Sequence, residues 1–286
     1  MASTDPVAIA PLAAADAAAA APLSVEAGWN QVEADWNFML GAGHGFGVRG
    51  AAGGCDASAL VLQLGPAIAW VSMVLVHGPR RRQGLGTALL HRCFDLCAAR
   101  GWLAALDATE LGRPLYLPLG FRDVFALRRW RLERAIAAQP APAGVGIAAA
   151  NAADVPELAR FDAAHTALER PAVLAHLLPR GPAFVARGRD GAIVGSAFAR
   201  AGRVAMQLGP ILATDPAVAA SLAAAQTAAS AGPWILDVPF DQAGFARLIE
   251  AHGGASPRGF MRMTRGEPGR LADARAIHAI AGPELA

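Results

Sequence analysis

An apolar run, Val71-Ser72-Met73-Val74-Leu75-Val76, breaks at Gly78-Pro79, turns through Arg80-Arg81-Arg82-Gln83-Gly84-Leu85-Gly86-Thr87, and passes at once into a helical stretch that Gly101 closes. The order strand, basic glycine turn, helix, strand commits the chain to packing helices against a sheet. It also has a chemical consequence. The N–H groups at a helix N-terminus face outward with partial positive charge, so the junction is suited to an anion such as a phosphate. Gly84 and Gly86 let the backbone approach a ligand closely and take φ values that a side chain would oppose.

The remaining elements follow from periodicity and punctuation. Val7 to Ala10 is expected to be a strand, and Asp16 to cap a helix running to about Ala27. Trp29 to Leu40 is expected to be a second helix, with Trp29, Val32, Trp36 and Met39 on one face. Strands are expected at Phe46–Arg49, Ser58–Leu64 and Ala67–Val76. After the helix from Gly84 to Arg100 come a strand at Trp102–Leu106, a short helix or turn at Arg113–Leu119, and a strand at Val124–Leu132. Gln139-Pro140-Ala141-Pro142-Ala143-Gly144 reads as a linker. Beyond it the order starts again: a strand at Ile147, helices after Asp154 and from Pro171, and a meander over 184–212. A helix from Pro216, a strand at Trp234–Val238, a helix at Gln242–His252 and a strand at Phe260–Thr264 complete it. The expected fold class is α+β: two tandem copies of a mixed, mostly antiparallel central sheet flanked by helices, over 1–138 and 145–286.

Composition excludes several chemistries. With 54% hydrophobic and 17% charged residues, extended disorder is not expected. A net charge of +2 argues against nucleic acid or an anionic membrane as main partner. All 25 basic residues are arginine, which removes a Schiff-base lysine and a Gly-Lys-Ser/Thr phosphate loop. Cys55, Cys93 and Cys97 are too few for a disulfide framework and lack zinc-site spacing, so no metal is expected and a reduced, cytoplasmic setting fits. The first basic residue is Arg49, so the alanine-rich start lacks the charged end of a signal peptide. Every long apolar stretch is interrupted before 18 residues, so no membrane span is expected.

Two motifs compete for the glycine turn. A dinucleotide turn wants Gly-x-Gly-x-x-Gly directly after a strand and an acidic residue some twenty positions on; Asp107 lies 21 residues after Gly86. However, Leu89 holds the third glycine position, and seven residues separate Val76 from Gly84. The stretch Arg81-Arg82-Gln83-Gly84-Leu85-Gly86 instead resembles the Arg/Gln-x-x-Gly-x-Gly/Ala loop of the GNAT superfamily of N-acetyltransferases. The resemblance extends over about residues 5–134 and includes Tyr116-Leu117-Pro118-Leu119-Gly120-Phe121, with the chain's one tyrosine four residues before a Gly-Phe pair.

The resemblance implies acetyl-coenzyme A as co-substrate. Its pyrophosphate would rest on N–H groups from Arg82 to Thr87 (the segment Arg82, Gln83, Gly84, Leu85, Gly86, Thr87), with Arg80, Arg81 and Arg82 adding charge at the mouth. The pantetheine arm would run along the end of the strand, and an N–H near Leu75 or Val76 would stabilise the oxyanion. Tyr116 would protonate the departing thiolate. The base stays open between Asp107, Glu110, His77 and a water relay. Trp29, Asn30, Trp36 and Phe46 are implied for the acceptor pocket, although a tryptophan pair seven apart also suits a plain core.

The second half lacks the loop. Asp215 is expected to cap its helix and repel phosphate there, which resembles a degenerate second domain shaping the acceptor site, with Asp237 reaching toward an amine. The activity implied is direct acetyl transfer to a primary amine, a small molecule being favoured over a protein. The alternative is a non-catalytic acyl-coenzyme A sensor.

Overall fold

The computed structural model describes residues 8–50 and 53–286, so Val7 of the expected first strand lies outside the described residues. Along the chain run β1 (Ile9–Leu12), α1 (Ala17–Glu26), α2 (Glu33–Ala42), β2 (His44–Arg49), β3 (Cys55–Gln63) and β4 (Ile68–Val76). Next come α3 (Leu85–Arg100), β5 (Leu103–Thr109), α4 (Arg113–Tyr116) and β6 (Arg122–Leu132). The order then repeats as β7 (Gly146–Ala149), α5 (Val155–Thr166), α6 (Pro171–Leu177), β8 (Phe184–Arg187), β9 (Ile193–Ala201) and β10 (Met206–Ala213). It closes with α7 (Pro216–Ala228), β11 (Trp234–Pro239), α8 (Ala243–Ala251), β12 (Ala255–Arg265) and one additional strand, β13 (Ile277–Ala279). Both repeats are mixed and mostly antiparallel, as expected, with a parallel pair after the third strand of each meander: β4 with β5, and β10 with β11.

The two compact units do not divide at the proline-rich stretch. The first is Met1–Ala105 and the second Leu106–Ala286. The reason lies in β6, the last strand of the first repeat. It pairs antiparallel with β11 on one side and β12 on the other, inside the second unit's sheet.

In the first unit β1, β2, β3 and β4 form an antiparallel meander, and β4 continues in parallel with the start of β5. Its core contains Trp36, Met39, Trp70, Val71, Leu89, Phe94 and Cys97, all nearly inaccessible to solvent. Cys93 and Cys97 face inward from α3 as their spacing suggested, and burial pushes the Cys93 thiol up. The expected second helix starts four residues late. Trp29 is held short of it by donating its N–H to the Ser24 carbonyl, and the Asp35 carboxylate accepts the Val32 N–H at the new N-terminus.

In the second unit the sheet runs β12, β6, β11, β10, β9, β8, β7. Its larger core gathers Trp130, Leu132, Leu208, Ile211, Leu222, Leu236 and Ile249. Among the described residues no helix is long and apolar enough to cross a membrane.

Candidate functional site

The site starts from an irregularity in β4. Across the β3–β4 ladder Ser58 faces Leu75 and Leu60 faces Ser72, so β4 carries an extra residue between them. Met73 adopts φ +52°, a left-handed conformation costly for a side-chain-bearing residue, and its carbonyl accepts the Ser58 hydroxyl at 2.8 Å. The parallel ladder with β5 covers only Ile68–Trp70 and ends there. Leu75 and Val76 therefore follow a bulge on a stretch of β4 that this ladder has left. Nothing in the run Val-Ser-Met-Val signals the bulge, and sequence reasoning missed Met73.

The loop that follows is braced from α1. Glu26, at the C-terminal end of that helix, accepts the Gly78 N–H at 2.7 Å, contacts His77 Nδ1 at 2.6 Å and pairs with Arg81 at 3.2 Å. The His77 and Gly78 contacts hold its carboxyl below the usual range. Arg81 also donates Nε to the Val76 carbonyl at 3.0 Å, while Arg80 pairs with Asp56 and donates to the Gln83 side chain. Two of the three arginines expected to meet a ligand thus hold the loop together. Arg82, exposed and at φ +61°, has no ion pair among the described residues.

Gly84 sits at the N-cap of α3 with φ +77°. No heavy atom lies within 4 Å of where its Cβ would be, so the dihedral, not crowding, requires glycine. The N–H groups from Arg82 to Thr87 are given to no backbone carbonyl among the described residues, and α3 has neither a capping side chain nor an acid in its first turn. Sixteen residues of helix dipole end at this exposed glycine turn.

The acceptor candidates separate. Trp29 and Asn30 follow Glu26, which binds the loop, by three and four residues; Trp29 is half-buried and Asn30 is buried. Trp36 is fully buried with its indole N–H donated to Ser24 at 2.9 Å, which makes it core. Phe46 lies under Arg92 and lines a cleft with Asp95 and Arg100, on later turns of α3, about 10 Å or more along the helix axis from Leu85.

In the second unit, Tyr116 ends α4, half-buried, with its ring 5.7 Å from that of Phe121. The Asp107 side chain is inaccessible to solvent, although the residue as a whole is partly exposed, and Arg262 binds both its oxygens at 2.9 Å each, while burial raises its pKa. Asp237 is equally enclosed, bound by Arg129 at 2.8 and 2.7 Å and by Gln207 at 3.2 Å. Neither carboxylate is free to meet an amine, which corrects the expectation for both. Glu110 is exposed and lines a cleft of about 500 Å³.

The second repeat carries the corresponding irregularity in β10, between Leu208 and Ile211, and Asp215 caps α7 by accepting the Ala217 N–H at 2.7 Å, as expected. A new element appears beside it. After two residue pairs with β11, the edge of β10 is taken by β13, with Ile211 facing Ala279 and Leu212 facing Ile277. Ile280 then donates its N–H to the Asp237 carbonyl on β11 at 2.9 Å, so this segment fills the opening between the two parallel strands. The fit is so close that a Cβ on Gly209 would collide with the Ile280 carbonyl oxygen.

Residues 158–279 match the family model described as an acetyltransferase (GNAT) domain, a match on the repeat without the glycine loop. The chain is 25% identical over 218 residues to the uncharacterized N-acetyltransferase YitH of Bacillus subtilis, covering 75% of this chain and 76% of that protein. Among solved structures, a putative acetyltransferase from Pyrococcus horikoshii superposes with a TM-score of 0.78 at 16% identity, over 98% of this chain and 95% of the other. A tandem GNAT protein from the clavulanic acid biosynthesis pathway gives 0.65 at 17% identity, over 91% and 99%.

Proposed function

We propose that this chain, a GNAT acyltransferase by its fold and its matched acetyltransferase domain, moves an acetyl group from acetyl-coenzyme A to a primary amine, with the first repeat binding the cofactor. The observation that carries this reading is the contrast between the repeats. The first ends its bulged β4 in an exposed glycine turn with undonated N–H groups at the start of α3. In the second, Asp215 occupies the helix N-terminus and β13 fills the strand opening.

On this reading the N–H groups from Arg82 to Thr87 bind the pyrophosphate, and Arg82, which has no ion pair among the described residues, adds positive charge. After the bulge at Met73, a backbone N–H of β4 near Leu75 or Val76 meets the thioester oxygen, where such a donor is worth about 3 kcal/mol. The amine nitrogen attacks the carbonyl carbon and the carbon–sulfur bond breaks. The sulfur takes a proton from Tyr116, and the excess amine proton leaves to water. Trp29 and Asn30 contribute to the acceptor side. A small-molecule amine is favoured over a protein, and the free thiols suit a reducing, cytoplasmic setting.

The test is a screen of amines for release of coenzyme A thiol. Turnover that requires both acetyl-coenzyme A and an amine supports the reading. Tight acetyl-coenzyme A binding with no turnover on any amine would favour a sensor instead.

A further inference from the structure

The cleft of about 500 Å³ in the second unit has a size suited to a small ligand, and its walls come from the turn after β5, the middle of β6, the start of β12 and Phe240. Its charge is unbalanced. Arg113 is committed to Asp123, which it binds through two nitrogens. Arg128 and Arg258 have no carboxylate partner among the described residues. Each guanidinium instead lies over an aromatic ring, Arg128 at 4.5 Å from the Phe240 centroid and Arg258 at 5.3 Å from that of Phe260. A ring under the flat face leaves the N–H edge of a guanidinium available for a planar, two-point partner.

Arg258 is half-buried, and Asp237, whose charge favours its protonated form, is already bound at both oxygens by Arg129. Burial and the Arg129 charge both push the Arg258 pKa down. A half-buried guanidinium with no carboxylate of its own is unfavourable unless an anion completes it. Glu110 is the cleft's one acidic residue; its carboxylate oxygen stands 3.7 Å from where a Gly259 side chain would begin. Cations and a carboxylate in one cavity, with Phe240 and Phe260 between, form a complement to a molecule carrying an anion, an ammonium group and some apolar surface.

We infer that this cleft binds the acceptor through an anionic group, a carboxylate or a phosphate monoester, held by Arg128 and Arg258, so that the acceptor is an amino acid or an amino phosphate. The inference rests on the acetyl-transfer reading for the ligand's role as acceptor, but its binding chemistry is independent of turnover.

The experiment is calorimetric titration of the full chain with paired probes: each of the twenty amino acids against its carboxamide, and phosphoethanolamine and O-phosphoserine against ethanolamine and serine. The expected result is that at least one acid binds about tenfold or more tightly than its neutral partner. The first set of pairs reports a carboxylate and the second a phosphate. Arg258→Gln and Arg128→Gln should each remove most of that preference, while Arg113→Gln, whose guanidinium is already paired, should keep it. Thermal melts of the variants check that the fold survives. Equal binding of acids and neutral partners, no binding by any probe, or a preference that survives both substitutions in folded protein would overturn the inference. Binding that behaves as expected without coenzyme A release would count against acetyl transfer alone.

Discussion

Replacing Gly84 by aspartate separates the fold of the glycine turn from its charge. Gly84 is at φ +77° with open space around the Cβ position, and aspartate and asparagine are the side chains that best tolerate that region, at a cost of about 1 kcal/mol. Aspartate at the start of α3 also returns about 0.5–1 kcal/mol by capping a helix that now has no acid in its first turn. The folded protein should therefore melt within about 3 °C of the parent. Binding should change far more. A carboxylate about 5 Å from a phosphate charge is repelled by about 3 kcal/mol at an effective dielectric of 20 and by about 1 kcal/mol in bulk water. That corresponds to about a fivefold to 150-fold loss of acetyl-coenzyme A affinity, shrinking as salt is added. Gly84→Asn carries the same shape without the charge. Calorimetric titration of the two variants should show Asp weaker than Asn by at least about fivefold. Equal affinities for the two would refute the assignment of the pyrophosphate to this turn.

Tyr116→Phe should lower kcat by about two to four orders of magnitude while leaving the acetyl-coenzyme A Kd unchanged, and an unaltered kcat would remove Tyr116 from the reaction. Arg129→Leu strands the Asp237 carboxylate in the interior of the second unit and should cost about 3–5 kcal/mol in urea unfolding; the double change with Asp237→Leu should recover much of it, and a single variant as stable as the parent would show the pair to be dispensable. His278 on β13 is buried against Phe245, and burial lowers its pKa from 6.5 to about 4. Between those values the unfolded chain binds the proton and the folded chain does not. Stability should thus fall as the pH drops from about 7 toward 4, by about 3 kcal/mol in all. His278→Phe should flatten that part of the unfolding profile, and an unchanged slope would assign the acid sensitivity elsewhere.

The strands and helices were legible within a few residues wherever an apolar period ran uninterrupted between glycines or prolines, as in α3 between Gly84 and Gly101. The repeat was legible as an order of elements, although the strand β6 pairs across the expected boundary. What stayed hidden was set by partners distant in sequence. Asp107 looked like a candidate base and Asp237 like a contact for the amine because the arginines that enclose them lie 155 and 108 positions away along the chain. The bracing of Arg80 by Asp56 and of Arg81 by Glu26 was hidden for the same reason. β13 is three residues long and has no periodicity to detect, yet it decides which strand opening is filled. Arg128 and Arg258 drew no notice in a chain rich in arginine; their signal is the missing counter-charge, which only packing reveals.

The most direct test of the account is a crystal structure of the protein soaked with acetyl-coenzyme A. The account predicts one molecule per chain, its pyrophosphate on the amides between Arg82 and Thr87, with β13 still paired to β10. A pyrophosphate at the Asp215 end of α7, with β13 displaced and the Gly84 turn empty, would contradict it.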